Sequence, residues 1–394
     1  MFTRLGTVFS LLFVFPCLYA DSLTDFNQQF SVQVAQTLAQ KNIPGGAYSI
    51  VKGNQVLATE TFGFSDKTQT KKITPDTIFR LASVSKTFTG NLTTLLAEEQ
   101  KLDLSLPISH FVPHFTLATK GAADNIQLKH LISHSSGLVP NAYDNLLHEN
   151  WNMDKIIRQF ERVAPICSPG QCYGYQNIAF SLIQPAIESS QNKSFSGLLQ
   201  ERFFTPLKMH HASVGIDNFL ASSNSAKPHV LIKRINTEKK DSQGKSIKKY
   251  IWRTVKVQND FYKVPPAAGI NASISDLSKW LIANLGYQPK VLSAKLLKEV
   301  TTPRIRTRKD IKRQFWRDNL TDAHYGYGWR IYQFDDIPII YHSGWVAGFR
   351  ADIGYAPSLD IGFAMLINAE SNVINQLSHQ FWLKITHTLL AKNN

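Results

Sequence analysis

The sequence predicts an α/β protein of the α+β kind, in which an antiparallel sheet flanked by the terminal helices carries an inserted, mostly helical domain. Three observations lead to this fold class. Two apolar runs joined by a turn lie at residues 47–62, three more lie at 337–368, and helical patterns dominate residues 83–200. With 394 residues, 43% of them hydrophobic, the chain is long enough for more than one compact domain.

The first element is a helix, which we predict at residues 24–42 from apolar positions recurring at helical spacing. These positions form one face: Phe26, Phe30, Val34 and Leu38. Two strands follow at 47–51 and 56–62, with a hairpin turn at 52–54 between them.

Beyond residue 200 the pattern changes twice. Residues 217–263 are rich in lysine and poor in apolar anchors, so we interpret them as an excursion from the helical domain. A turn and helix return at 265–285, with Ser275 or Asp276 as the N-cap. Three strands and a last amphipathic helix complete the chain at 337–342, 351–355, 361–368 and 373–391.

These elements divide the chain into a leader and two domains. Residues 1–20 form the leader, residues 21–80 and 320–394 form the sheet domain, and residues 81–319 form the mostly helical domain with its excursion. The boundary between two such domains is where we expect the chemistry.

The leader has the layout of a secretory signal peptide. Arg4 precedes an apolar run at residues 7–15, and Ala20 is the small residue expected at a cleavage site. An uncleaved anchor is disfavoured, because a membrane-spanning helix needs about 20 apolar residues. A lipoprotein attached through Cys17 is a weaker alternative, because Pro16 precedes that cysteine. We therefore expect an exported, periplasmic protein that is soluble after cleavage.

Cleavage leaves two cysteines, Cys167 and Cys172, which flank a turn sequence at 168–171. Such a turn can bring the sulfur atoms together, and an oxidising compartment favours a disulfide. Two unpaired thiols are the alternative. The spacing does not fit a zinc site, and we expect no bound metal.

The net charge of +14 is concentrated in two stretches, 227–263 and 304–317. A basic surface favours anionic partners such as cell-wall polymer or membrane headgroups. No nucleic-acid-binding motif is present, so nucleic acid is not expected as a partner. The interpretation we favour for both stretches is a solvated loop on a basic protein.

The first candidate for chemistry is a Ser-x-x-Lys tetrad at Ser83 and Lys86; no G-x-S-x-G or H-E-x-x-H motif is present. The tetrad occurs five times, beginning at Ser49, Ser83, Ser190, Ser242 and Ser246. Ser83 alone opens a strong helical pattern, where residues three apart share a face, so Lys86 can touch its hydroxyl. By itself the motif fits equally well a helix N-cap followed by a surface lysine.

Tyr175 and Asn177 form the second candidate pair, just after the cysteine turn and before an apolar helix at 178–187. In an extended segment both side chains point the same way. A lysine ammonium nearby stabilises a phenolate, which suits tyrosine to relay protons, and an asparagine amide can bind a substrate amide. A packed tyrosine followed by a helix-capping asparagine is the alternative.

The third candidate is His342, Ser343 and Gly344, at the end of a predicted strand. Gly344 lets a substrate approach the backbone closely, and the Ser343 hydroxyl can donate to a carboxylate. The amide of Trp345 can pair with the amide of Ser83 as oxyanion donors. A simple strand-end turn is the alternative.

Taken in order, these three motifs resemble the serine β-lactamase-related and penicillin-binding family, on its class C β-lactamase and D-alanyl-D-alanine carboxypeptidase side. The resemblance extends over nearly the whole mature chain, because segments 128–138, 266–273 and 325–329 also resemble that family. We interpret these segments as structural, and His134 within the first as a core residue and not a catalytic base.

The resemblance implies a β-lactamase/transpeptidase-like fold and an acyl-enzyme mechanism that needs no metal or organic cofactor. Ser83 would attack the acyl carbon. Lys86, kept neutral by burial, would take the serine proton or share this task with Tyr175, which would protonate the leaving nitrogen. The amides of Ser83 and Trp345 would hold the oxyanion.

The resemblance also implies substrate contacts, with Asn177 on a side-chain amide and Ser343 on a carboxylate. Two residues depart from the class C pattern. His342 stands where those enzymes have lysine, and a histidine that is mostly neutral at pH 7 attracts a carboxylate less. Trp345 is bulky where those enzymes have a small residue. We therefore expect D,D-peptidase-like chemistry and not efficient antibiotic hydrolysis.

The leading hypothesis is an exported serine hydrolase acting on a D-amino-acid peptide, such as a peptidoglycan peptide, or on a small β-lactam-type amide. His342 and Trp345 motivate a second hypothesis, a short-chain esterase. The basic stretches motivate a third, a penicillin- or cell-wall-binding protein without turnover. The oligomeric state stays open.

Overall fold

Strands from both ends of the chain form one antiparallel sheet of eight strands in the computed structural model, which describes residues 15–240, 242–244 and 246–390. The strands are β1 (Gly45–Lys52), β2 (Gln55–Gly63), β3 (Phe79–Arg80), β4 (Ser213–Val214), β5 (His229–Lys240), β6 (Ser246–Thr254), β7 (Ile270–Ala272), β8 (Ile305–Arg306), β9 (Leu320–Tyr325), β10 (Arg330–Phe334), β11 (Ile337–Val346), β12 (Phe349–Ala356) and β13 (Ile361–Ile367).

The large sheet has the order β2-β1-β13-β12-β11-β10-β9-β8, so the first two strands pair with the last. β3, β7 and β4 form a small second sheet, and β5 and β6 form a separate hairpin. The predicted fold class is confirmed.

Fourteen α-helices of the described residues surround the large sheet. They are α1 (Phe15–Gln40), α2 (Ser85–Glu98), α3 (Leu128–Ile132), α4 (Asp144–His148), α5 (Met153–Arg158), α6 (Asn177–Ser181), α7 (Ile183–Gln191), α8 (Phe195–Leu199), α9 (Ile216–Ala221), α10 (Pro265–Ala268), α11 (Ile274–Ile282), α12 (Ala294–Val300), α13 (Arg308–Ile311) and α14 (Val373–Leu390). None of these helices is both long and apolar enough to span a membrane.

Each face of the sheet has its own core, because successive side chains of a strand point to opposite faces. On one face Tyr48 and Ile50 of β1 pack with α1 and α14, where the rings of Phe363 and Phe381 stack 4.1 Å apart. On the other face lie the helices between α2 and α12, which share a core with Val51. The first candidate motif, at Ser83 and Lys86, lies on this second face.

Helix α2 is the centre of the second core. The sequence predicted one apolar face of Phe88, Leu92, Leu95 and Leu96; Leu95 is only partly buried and the other three are fully buried. Phe88 stacks on Trp280 of α11 with ring centroids 4.1 Å apart. A helix that is buried on nearly every side cannot easily shift. It therefore holds the residues at its N-terminus in one place.

The N-terminal helix differs from its predicted bounds. It runs from Phe15 to Gln40 and so begins within the predicted leader. Leu23 and the predicted face, from Phe26 to Leu38, are buried. Residues 1–14 lie outside the described residues, and the signal peptide stays a prediction.

The predicted N-cap of α11 is wrong. Ser273 caps the helix by accepting a hydrogen bond from the amide of Asp276 at 3.1 Å, while the Asp276 carboxylate accepts from the Ser273 amide at 3.1 Å. This reciprocal pair is a capping box. Ser275 and Asp276 are therefore helical residues.

The lysine-rich excursion contains the β5–β6 hairpin. Trp252 anchors this hairpin. It is buried, and its indole nitrogen donates to the carbonyl of Lys41 at 2.9 Å. The amide of Tyr250 donates to the side-chain oxygen of Asn42 at 3.0 Å. The excursion is thus anchored at the C-terminal end of α1.

Candidate active site

Ser83 lies in a single 3₁₀ turn, Ala82–Val84, that leads directly into α2. The helix begins two residues later than predicted, but Ser83 and Lys86 still share one face. Ala82 is fully buried and has φ 49°, a left-handed conformation that is uncommon for a residue with a side chain. Strained backbone of this kind is concentrated at functional sites. The turn leaves the Ser83 side chain partly exposed.

Lys86 is fully buried, which excludes the surface-lysine interpretation. Its Nζ lies 3.3 Å from Ser83 Oγ and donates to Asn177 Oδ1 at 2.7 Å and to the carbonyl of Ala267 at 3.0 Å. Burial lowers the pKa of Lys86 well below its usual 10.5, although the charge of Asp144 opposes this shift. A neutral amine beside a serine hydroxyl can accept its proton.

The ring of Tyr175 covers the amine of Lys86, with its centroid 4.7 Å from Nζ. Burial raises the pKa of Tyr175 to about 12, while the charge of Arg330 and the Ser83 hydroxyl lower it. The charge of Lys86, which we expected to stabilise the phenolate, is not among the leading causes that shift the pKa of Tyr175. The cation that favours the phenolate is Arg330, whose guanidinium carbon lies 5.4 Å from the ring centroid.

Asn177 is buried and faces Lys86, as its spacing from Tyr175 predicted. Its oxygen accepts from Lys86, and its Nδ2 donates to Asp144 Oδ2 at 2.7 Å. One N–H and one lone pair remain for a substrate. Burial raises the pKa of Asp144, against the opposing effects of Asn177 and Lys86. Asp144 has no motif in the sequence, and we did not identify it there.

His342 is fully buried inside β11, which is longer than predicted, so the His-Ser-Gly motif does not end a strand. Its Nε2 lies 2.9 Å from the Tyr325 hydroxyl, and its Nδ1 lies 3.0 Å from the carbonyl of Ser343. Burial and the charge of Arg330 lower the pKa of His342 well below 6.5. A neutral His342 supplies no charge to a substrate.

Gly344 brings β11 against the turn of Ser83. A Cβ atom at Gly344 would lie 2.1 Å from the carbonyl oxygen of Leu81, so no other residue fits there. The close approach that the sequence predicted is thus made by the chain's own backbone. It places Trp345 beside the nucleophile turn.

A cavity of about 960 Å³ opens over these residues. Six of the predicted site residues line it: Ser83, Tyr175, Asn177, Ser343, Gly344 and Trp345. Lys86 and His342 do not line the cavity and are fully buried.

The cavity wall is also basic. Five cationic residues line it: Lys309, Lys312, Arg313, Arg330 and Arg350. Three of these belong to the stretch 304–317, so the interpretation of that stretch as a solvated loop is wrong in part. Three carboxylates, Asp144, Asp310 and Glu370, also line the cavity, so its lining carries an excess of positive charge.

Arg330 is the least exposed of these cations and was not identified from the sequence. It forms an ion pair with Asp310, and its Nη1 donates to the Tyr173 hydroxyl at 3.3 Å. The segment 325–329, which we interpreted as structural, ends one residue before it. Its Gly328 has φ 75° and packs on the carbonyl of Lys86, where a Cβ atom would lie 2.1 Å away.

Cys167 and Cys172 are within bonding distance, with their sulfur atoms 1.98 Å apart. The turn they close precedes Tyr175, whose ring lies 4.2 Å from the ring of His134. His134 is buried, and its Nδ1 accepts from the amide of Gln176 at 3.2 Å. His134 thus packs beneath the Tyr175 segment and does not line the cavity.

No group of three or more histidine, cysteine, aspartate or glutamate side chains within the described ranges is arranged to hold a metal ion. The site instead combines a serine hydroxyl, a neutral amine, a phenol and a cationic wall. These groups are suited to acyl transfer through a serine nucleophile.

Comparison with known proteins agrees with this chemistry. The Beta-lactamase family matches residues 31–380. Protein flp of Staphylococcus aureus (strain MRSA252) is 24% identical over 355 residues, which cover 90% of this chain and 65% of that protein. Unguisins hydrolase ungD' of Aspergillus campestris (strain IBT 28561) is 26% identical over 365 residues, 89% of this chain and 63% of that protein. The chain spans less than two thirds of the length of these curated relatives.

Two solved structures share the fold. The octameric penicillin-binding protein homologue from Pyrococcus abyssi superimposes with a TM-score of 0.71 at 24% identity, over 87% of this chain and 73% of that one. The D-stereospecific amidohydrolase from Streptomyces sp. superimposes with a TM-score of 0.66 at 17% identity, over 87% of this chain and 94% of that one.

Proposed function

Because this chain belongs to the beta-lactamase family, we propose that it is a serine acyl-hydrolase whose nucleophile is Ser83 and whose general base is Lys86. One observation carries the proposal. The fully buried Lys86 amine lies 3.3 Å from the Ser83 hydroxyl, and burial lowers the pKa of that amine. A solvated lysine would be protonated at neutral pH and could not take a proton.

The proposed acylation step balances within the site. Ser83 Oγ attacks the acyl carbon, its proton moves to Lys86 Nζ, and the backbone amides of Ser83 and Trp345 hold the oxyanion. Collapse of the tetrahedral intermediate breaks the bond to the leaving nitrogen. Tyr175 gives its proton to that nitrogen and regains one from Lys86. Water then attacks the ester, and the same groups move its proton in the reverse sense.

We propose a D-amino-acid peptide or a related amide with a carboxylate as the substrate. The Ser343 hydroxyl and the cationic wall of the cavity support this substrate class, because both favour a carboxylate beside the scissile bond. Similarity in fold to a D-stereospecific amidohydrolase is consistent with it. The neutral His342 supplies no charge, so the carboxylate depends on the other cations.

Release of D-alanine from an acetylated peptide ending in D-Ala-D-Ala tests this proposal. We expect turnover by the wild type, loss by at least about 10³-fold in Ser83→Ala, and no change in Ser190→Ala, which alters a serine with the same tetrad spacing. Ser343→Ala should raise the KM for the free carboxylate and leave the KM for the C-terminal amide unchanged. Turnover that survives Ser83→Ala would reject the mechanism.

A short-chain esterase is the second candidate, because His342 is neutral and the Trp345 side chain, 57% exposed, narrows the cavity mouth. An esterase would hydrolyse nitrophenyl butyrate, release no D-alanine, and be insensitive to Ser343→Ala. The third hypothesis, binding without turnover, would leave a stable acyl adduct on Ser83.

We also propose that the protein is exported. The leader layout of residues 1–20 and the paired cysteines Cys167 and Cys172 support this, because disulfides persist in oxidising compartments. The N-terminal sequence of the protein recovered from a periplasmic extract should begin after Ala20. Recovery in the cytoplasm with Met1 retained would contradict export.

A further inference from the structure

Two further cavities, of about 370 and 550 Å³, share lining residues with the cavity over Ser83. Trp345 and Arg350 line all three cavities. These two residues face each other across β11 and β12, and the Arg350 guanidinium lies 4.6 Å above the Trp345 ring. They therefore lie between the cavity over Ser83 and the larger of the two further cavities, which we call the distal groove.

The distal groove is lined at its far side by Lys41, Arg234, Tyr250 and Trp252. Three of these residues are joined: the Lys41 amine donates to the Tyr250 hydroxyl at 2.8 Å, and Trp252 donates to the carbonyl of Lys41 at 2.9 Å. Arg234 pairs with Tyr250 across the hairpin, so their side chains share its inner face. The far wall is thus built from ordered residues and not from a loose loop.

Positive charge dominates the groove. Lys41, Arg234 and Arg350 line it, and Glu370 is its one carboxylate among the lining residues of the described chain. Glu370 already accepts from the Trp345 indole at 2.8 Å. Within the described ranges no carboxylate lies within 4 Å of any of the three cations.

The hydrogen-bonding capacity of Arg350 is only partly used. Arg350 donates through Nη2 to Asn372 at 2.7 Å, but its buried Nε has no hydrogen-bond partner in the described part of the chain. The Arg350 guanidinium nevertheless lines the groove, so its charge is available to an anionic ligand. The exposed Trp345 ring beside it offers apolar surface for the ligand chain.

We propose that the distal groove binds the remote part of an acidic peptide, whose carboxylates meet Arg234 and Arg350 while its scissile amide lies at Ser83. Opposite charges and the lining residues that the groove shares with the cavity over Ser83 support this occupant. Tyrosine and tryptophan side chains line the groove beside the cations and offer apolar surface to a peptide chain. This inference rests on the proposed function only for the nature of the scissile bond.

Calorimetric titration of the full-length Ser83→Ala protein tests the groove without any turnover. The probes are Ac-Glu-Glu-D-Ala-D-Ala-Glu-Glu-NH₂ and its counterpart with four glutamines, which places acid on either side of the central amide. We expect the glutamate peptide to bind at least about 5-fold more tightly at low salt, and Arg234→Gln to abolish that preference. Binding that is independent of charge would overturn the proposal.

Lys233→Gln is the matched control. Lys233 is adjacent to Arg234, carries the same charge and pairs with Ile251 on the opposite face of the hairpin. It should leave the preference unchanged, whereas an equal loss in both variants would show a diffuse effect of net charge and reject the groove. Thermal unfolding checks that each variant is folded, which is expected because both side chains are exposed. Tighter binding of an oligouronate than of the glutamate peptide would reject a peptide as the occupant.

This binding test and the proposed function can fail separately. If Ser83 is not the nucleophile, the Ser83→Ala protein still reports whether the groove distinguishes acidic from neutral peptides. If the groove is not a binding site, D-alanine release by the wild type still stands.

Discussion

Lys86 Nζ lies 3.3 Å from Ser83 Oγ, one helical turn away, and the same nitrogen donates to Asn177 Oδ1 at 2.7 Å. The serine is partly exposed to the cavity, whereas the lysine is fully buried behind it. A nucleophile open to substrate is thus joined to an amine that is protected from water. The following predictions concern this relationship and the groups that maintain it.

The acidic limb of the pH profile of kcat/KM should be set by the pKa of Lys86. As the pH falls through the pKa of Lys86, the amine gains a proton and cannot accept one from Ser83. The kcat/KM should therefore decrease about tenfold per pH unit on the acidic side of that pKa. A steady-state profile measures this, and His342→Gln is the control because burial also lowers the pKa of His342. A limb that disappears in His342→Gln would assign the base to histidine.

Lys86 should also make the stability of the protein depend on pH. Burial lowers the pKa of Lys86 in the folded chain, whereas the unfolded chain keeps the ordinary value of 10.5. Between the folded pKa and 10.5 the unfolded state therefore binds more protons, and the free energy of unfolding rises with pH by at most about 1.4 kcal/mol per unit. The free energy of unfolding of the wild type minus that of Lys86→Met should increase from pH 7 to pH 9 in urea titrations. A constant difference would mean that the pKa of Lys86 is ordinary.

Arg330 and Asp310 should behave as a unit. Arg330→Met leaves the buried Asp310 carboxylate without its cation and should lower the free energy of unfolding by about 3–5 kcal/mol. The double variant with Asp310→Asn removes both charges and should recover most of that loss. Both variants should raise the pKa of Tyr175, because the charge of Arg330 lowers it. Urea unfolding of the three proteins measures the coupling, and equal destabilisation of the single and double variants would argue against a buried ion pair.

Gly344→Ala should reduce activity strongly. The added methyl group would lie 2.1 Å from the carbonyl oxygen of Leu81 and would push β11 away from the turn of Ser83. A displacement of this kind typically costs about 10²-fold in rate and about 1–3 kcal/mol in stability. Gly197→Ala is the control, because Gly197 is exposed on a helix and its added Cβ atom meets only the Ser194 hydroxyl. Unchanged kcat/KM in Gly344→Ala would contradict the close approach.

The parts of the fold that the sequence predicted are those determined by local periodicity. The apolar runs of β1 and β2 with the turn between them, the apolar runs of β11 to β13 and the helical face from Phe26 to Leu38 can all be recognised without knowledge of neighbours. Ser83 and Lys86 belong to the same class, because a spacing of three implies a shared helical face. The N-cap of α11 was wrong because Ser273, Ser275 and Asp276 are all good caps, and the capping box depends on which carboxylate turns back.

The parts that the sequence did not predict depend on long-range contacts. β8 has two residues, and β9 carries the outward polar residues Asp322 and His324, so neither has a strand signal of its own. The lysine-rich hairpin lacks a visible core because Trp252 is buried against the end of α1, more than 200 residues earlier.

Two residues of the site were not identified from the sequence for the same reason. Asp144 and Arg330 are charged residues outside any motif, and a charged residue in a sequence is usually exposed. Arg330 is buried because Asp310 pairs with it, and Asp144 is partly buried beside Asn177, which donates to it. Only the assembled site shows these partners.

The central claim is that Ser83 is the nucleophile of a covalent acyl-enzyme. Intact-protein mass spectrometry after exposure to a β-lactam or a fluorophosphonate, followed by peptide mapping, tests it most directly. The account predicts a single adduct on the peptide that contains Ser83, present in wild type and Ser190→Ala and absent in Ser83→Ala. An adduct that persists in Ser83→Ala, or a catalytically active preparation that forms no adduct, would contradict it.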